Sequence, residues 1–181
     1  ATNTVVGTKT AVDVKNIGVA SAWDDTNLID FNVDESVYTL GDHYGDASGD
    51  GMIEVPNVFS ANGNSGMLKS LLITDDDKLF HEFNVLIFAS DSEPVVASAE
   101  KATLNLAEAT LDKLVARYRI RYGDWSSSSD YGIALVGPHG SPPNPGEQWV
   151  QASSGSTSLW VILQATEAFT PVTAGHLRMK L

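Results

Sequence analysis

Acid–base catalysis needs paired carboxylates, metal chemistry needs clustered ligands, and covalent catalysis needs a nucleophile beside a base. The 181-residue chain offers few such groupings. Glu54 and Glu82 both fall in strand-like stretches, and two carboxylates across a sheet could serve glycoside hydrolysis. With 23 Asp and Glu in the chain some such pair is inevitable, so the pair alone carries little weight. Asp42, Asp46 and Asp50 recur every fourth residue in GDHYGDASGDG, residues 41–51. Calcium takes oxygen ligands from loops of this kind, but an EF-hand loop needs Asp at alternate positions and a distal Glu. A plain Gly/Asp turn is expected, with these three aspartates the weak metal candidates. The histidines, His43, His81, His139 and His176, are scattered, and no two stand at metal-ligand spacing on one element. Each is expected at the surface or in a hydrogen bond. Cysteine is absent, which removes disulfides, thiolate zinc sites and a cysteine nucleophile. No G-x-S-x-G, H-E-x-x-H or phosphate-cradling glycine loop is present. The expectation is a protein that is not an enzyme and carries no cofactor.

Charge narrows the partners. The net charge of −12 argues against nucleic acid, whose phosphates must be met by Lys and Arg. It is unevenly placed: residues 1–118 hold 7 basic and 19 acidic side chains, and residues 119–181 hold four of each. Such an imbalance favours solubility, and it fits an acidic outer face with a neutral C-terminal part that docks. No apolar run approaches membrane length. The opening residues ATNTVVGTKT lack the basic and apolar segments of a signal peptide, and the start at Ala1 is read as loss of an initiator Met.

The elements that must position any site centre on residues 66–122. Met67 to Thr74 has apolar groups on both faces, as in a strand covered on both sides or lying at a subunit contact. Asp75-Asp76-Asp77 breaks it with a turn. Phe83 to Ala89 (FNVLIFA) is the most apolar run and reads as a buried strand, closed by Glu93-Pro94. Leu111, Leu114 and Val115 form an apolar stripe that predicts a helix over 107–115, with Asn105 as cap and Glu108 in the first turn. Arg117 to Tyr122 (RYRIRY) alternates as a half-buried strand. Upstream, Val37 to Leu40 and Met52 to Phe59 read as a strand pair, the second interrupted by Pro56. Downstream, Tyr131 to Val136, Gln148 to Gln151, Thr157 to Thr166 and His176 to Leu181 read as strands. GPHGSPPNPG at 137–146 is too rich in proline for regular structure. Trp125 is expected in an exposed loop, whereas Trp149 and Trp160 are expected in the core. Eight to ten short strands with turn signals every 8–14 residues predict an all-β chain, a jelly-roll-like antiparallel β-sandwich with one short helix. Residues 1–35 are expected as an extended arm or edge segment, and 36–181 as one sandwich domain.

This layout resembles a family of small virion proteins that tailed phages encode close to the major capsid protein. The residues that carry the resemblance are Gly66–Thr74, Asp75–Asp77, Phe83–Ala89, Leu104–Val115 and Leu159–Leu181, and it spans roughly 36–181. The resemblance implies a capsid decoration, or cement, protein made in the host cytoplasm and carried on the capsid exterior. It brings no catalytic residues with it. The partners it implies are the major capsid protein and further copies of the same chain, as a trimer near threefold positions.

The accompanying mechanism is that the sandwich trimerises by burying apolar sheet faces. Capsid contacts are expected from the N-terminal arm, through Thr4, Val5, Val6, Val12 and Val14, and from the proline loop, through Pro138, His139, Pro142, Pro143 and Pro145. Extended termini often lie on a partner in this way. The alternative is a head or tail fibre or receptor-binding module whose loops bind carbohydrate, motivated by Trp23 and Trp125. No membrane or nucleic-acid partner is expected.

Overall fold

The computed structural model describes residues 29–31, 33, 35–45, 52–68, 70–90, 101–106, 108–137, 148–172 and 177–181. Within them run β1 (Ile29–Phe31), β2 (His43–Tyr44), β3 (Ile53–Val55), β4 (Ser65–Leu68), β5 (Leu71–Asp75), β6 (Phe83–Phe88), α1 (Glu108–Leu111), β7 (Leu114–Ile120), β8 (Trp125–Ser127), β9 (Gly132–Val136), β10 (Gln148–Gln151), β11 (Leu159–Ala165) and β12 (Leu177–Lys180). Every strand pairing is antiparallel. Sheet I has the order β1-β12-β5-β9-β8. Sheet II has the order β2-β11-β6-β7, with β3 also on β11. A separate ribbon joins β4 to β10. The expected all-β sandwich is what forms.

Period-two patterning explains why the sheets face each other. Phe31, Leu71, Ile73, Leu177 and Met179 of sheet I and Phe83, Val85, Ile87, Tyr118, Ile120, Leu159, Val161 and Leu163 of sheet II belong to one buried cluster. Alternate residues on the same strands point outward, as strand geometry requires. Sheet II is also covered on part of its outer face. There Leu86, Phe88 and Ile162 form a second buried cluster with Met52, Ala102, Leu104, Leu106, Leu114 and Trp160 around it. The segment 101–106 is fastened over this face by backbone bonds from Lys101 N–H to His43 O (3.1 Å), His43 N–H to Ala102 O (3.1 Å) and Leu104 N–H to Gly41 O (2.8 Å). All six residues of β6 are therefore buried, which is why FNVLIF does not alternate.

Several expectations are corrected. The helix over 107–115 shrinks to one turn, Glu108–Leu111. Leu114 and Val115 belong instead to β7, where Leu114 stands opposite Phe88 across a register shift and joins the outer cluster. A single turn is not stable alone, and the ladder outcompetes it. The strand predicted from Arg117 starts earlier, at Leu114, and stops at Ile120. Val37 to Leu40 is not a strand: only Tyr38 bridges, to Phe169, and Val37 and Leu40 are exposed. Met67 to Thr74 is split between β4 and β5, which belong to different sheets. The segment expected as an arm contributes β1 at its end, where Ile29 and Phe31 are buried against β12.

Candidate interaction surface

The aspartate turn after β5 is built as its sequence predicts, with an added constraint. Asp75 is buried, and its carboxylate accepts the backbone N–H groups of Asp77 (3.0 Å), Leu79 (2.8 Å) and Phe80 (3.3 Å). Those bonds hold Lys78 and Phe80 at φ 55 and 51, conformations that side chains rarely adopt. The left-handed backbone lays the Phe80 ring over Gly132, where an added Cβ would meet a ring carbon at 2.5 Å. Phe80 in turn packs with Trp125 (centroids 5.9 Å) and meets the edge of exposed Tyr122 (6.5 Å). One end of the sandwich thus carries an aromatic group assembled from the β5–β6 loop, the turn after β7 and the start of β8.

The tryptophans fall differently from expectation. Trp125 is half-buried and its indole N–H donates to His81 O at 3.1 Å, so it packs at the core margin. Trp149 is 65% exposed on β10, because its neighbour Val150 takes the inward position. Trp160 is half-buried on the outer face of sheet II. Trp23 lies outside the described residues.

Two of the histidines are buried hydrogen-bonding residues. His43 Nδ1 lies 2.7 Å from Ala102 O, which makes that nitrogen the donor. His81 Nε2 is 3.1 Å from the Tyr44 hydroxyl, and the ring stacks on Phe169 at 3.9 Å. His139 and His176 lie outside the described residues. Around His81, burial raises the Tyr44 phenol well above its ordinary value. On β7, burial pushes the Tyr118 phenol up to about 12, and its hydroxyl finds no hydrogen-bond partner among the described residues.

The suggested carboxylate pair does not come together. Glu54 lies opposite Trp160 and accepts the Ser158 hydroxyl at 2.6 Å. Glu82 precedes Phe83, which lies opposite Ala165. Five residues of β11 separate the two, about 17 Å of strand. Glu82 is instead bonded by Tyr122 N–H (3.3 Å) and by the Arg119 guanidinium (3.1 Å), and these hold its carboxyl below the usual range. Asp42 is buried, and one oxygen accepts both the N–H (2.7 Å) and the hydroxyl (2.9 Å) of Thr39, so it caps a turn. Asp46 and Asp50 lie outside the described residues. Among the described residues no group of three His, Asp or Glu is placed to hold a metal.

No family model, curated protein or solved structure matches the chain. The expected partner-binding residues Thr4, Val5, Val6, Val12, Val14, Pro138, His139, Pro142, Pro143 and Pro145 all lie outside the described residues. Three parts of the described surface bear on partner binding. On the outer face of sheet I, Leu135 stands directly opposite Leu72, beside Ile133. Leu135 is 65% exposed. The outer face of β12 carries Arg178, which pairs with Asp30 of β1 (2.9 Å) and Asp76 (3.0 Å). On sheet II a polar row crosses the strands: Gln164 accepts from Asn84 (3.0 Å) and Asn84 accepts from Arg117 (3.1 Å). Sequence reasoning missed Leu72 and Leu135 as a pair, although their period-two placement in LLITD and GIALV carries the signal.

Proposed function

We propose that this chain is a capsid decoration protein that binds the outer surface of a phage head as an oligomer and stabilises it. The observation that carries the reading is the apolar patch of Leu72, Ile133 and Leu135 on a sheet face whose other members are polar. An oily pair on an exposed strand face is where a second copy gains most by covering it. Two further features support it. The chain passes back and forth between the two sheets, in the order β1, β2–β3, β5, β6–β7, β9, β11, β12, and we read this as the jelly-roll arrangement used by many capsid proteins. That likeness is at the level of fold only. Trp149, exposed on β10 directly after the proline loop, is a side chain of the kind that anchors protein contacts.

In this reading copies join through the outer face of sheet I, and Trp149, the N-terminal arm and the proline loop at 137–146 make the contacts with the shell. A protein that binds only the assembled shell shifts the equilibrium towards it. Light scattering should find an oligomer, expected to be a trimer, and Leu135→Asp should give a folded monomer. Incubation with undecorated phage heads, followed by sedimentation, should recover the native chain with the particles and raise the temperature at which they rupture. A native chain that stays monomeric at high concentration and leaves the heads unchanged would overturn the reading.

A further inference from the structure

The described strands end in edges of very different length. Sheet I is bounded by β1 and β8, three residues each. Sheet II is bounded on one side by β2 and β3, of two and three residues, and the ribbon strands have four each. On its other side sheet II ends in β7, seven residues long, with β6 as its one hydrogen-bonded strand neighbour among the described residues. A long unpaired edge offers a row of backbone donors and acceptors to any extended segment. Among the described elements β10 also packs against β7 without pairing with it. The chain after β10 is fastened at the Leu114 end, where Ser153 N–H donates to Ala89 O (3.1 Å) and Ala89 N–H to Lys113 O (2.8 Å).

The side chains of this edge state what would fit. Arg117, Arg119 and Arg121 are exposed at alternate positions, and Arg121 continues the extended backbone at φ −115 and ψ 158. Three of the chain's 11 cations thus stand in one row on a molecule of net charge −12. Glu82 meets Arg119, and Asn84 meets Arg117, which leaves the row net positive. Two copies of β7 cannot pair comfortably about Tyr118, because Arg117 would face Arg119 of the second copy, and like charges directly opposite destabilise a sheet. The edge is set against its own kind and suited to an acidic strand.

We propose that β7 is a strand-addition site for an extended segment with carboxylates at alternate positions, opposite Arg117, Arg119 and Arg121. Backbone hydrogen bonds give such a complex its affinity, and the alternate side chains give its register. The proposal rests on the shell-binding reading only for the source of that segment, an acidic stretch of the shell protein.

The test uses the full chain and a fluorescent seven-residue peptide with Glu at alternate positions and Val or Thr between them. Anisotropy should show binding that weakens with salt. An isomer with its three Glu contiguous, and a copy N-methylated along one backbone edge, should each bind at least about tenfold more weakly. Arg117→Glu with Arg119→Glu should lose the acidic peptide and gain its Lys counterpart. Arg117→Gln with Arg119→Gln serves if that reversal disturbs folding. Equal binding of the contiguous isomer would reduce the effect to general attraction and overturn the proposal, as would no binding of the alternating peptide. If the peptide fails while the chain still decorates heads, only the edge proposal falls.

Discussion

The two sheets solve the same burial problem in opposite ways. Sheet I has one face on the core and leaves the other open, so β5 and β9 alternate buried and partly exposed residues. Sheet II has the core on one face and the segment 101–106 over part of the other, so β6 is buried throughout. The difference teaches that an unbroken apolar run marks a doubly covered strand, and that a patchy one can mark a surface still available to a partner. The strongest challenge to that contrast is a matched pair of truncations in chain dilute enough to be monomeric. Ile162→Ala, on the covered outer face of sheet II, should cost about 2–4 kcal/mol in denaturant unfolding. Leu135→Ala, on the open outer face of sheet I, should stay within about 0.5 kcal/mol. Equal costs would mean that the two faces are not differently covered.

A smaller effect sharpens the contrast at the aromatic end of sheet I. Gly132→Ala drives a methyl group to 2.5 Å from the Phe80 ring. It should destabilise by about 1–3 kcal/mol and shift the near-ultraviolet circular dichroism of the Phe80–Tyr122–Trp125 group. Gly123→Ala, with nothing within 4 Å of the new atom, should be nearly silent. If both substitutions are silent, the Phe80 loop is not fixed by Gly132.

The smallest effect belongs to the inner face of sheet II. Tyr118 keeps its proton in the folded chain after the unfolded chain has lost it. Its contribution is complete below the ordinary value of 10 and falls away as pH rises towards about 12. Tyr118→Phe should flatten the alkaline slope of stability in that window. Because the hydroxyl has no partner among the described residues, the substitution should alter neutral-pH stability by no more than about 1 kcal/mol. An unchanged alkaline slope would show that the phenol titrates alike in both states.

Much of the fold was legible because strands announce themselves by period or, where both faces are covered, by an unbroken apolar run. FNVLIF, GIALV and LWVILQA, and the break at Asp75, could be read from side chains alone. What was not legible depended on tertiary choice. Leu114 and Val115 fit a helical stripe with Leu111 and a strand entry equally well, and the outer cluster around Phe88, which Leu114 joins, decided for the strand. The positions of Trp125 and Trp149 were exchanged because composition around a residue does not say which alternate position faces inward. Of the surface argued for here, the alternation of RYRIR was visible in the sequence. Its place at the rim of a sheet, which makes the arginines a candidate contact, depends on a strand order that no local pattern encodes.

The strand order of sheet I also ties distant parts of the chain to one another. β12 is the last of the described strands, yet it lies between β1 and β5 as their shared neighbour. Among the described residues β1 has no other strand partner, so its place in the sheet depends wholly on a segment about 150 residues further along the chain. Loss of β12 should therefore unstitch β1 along with it.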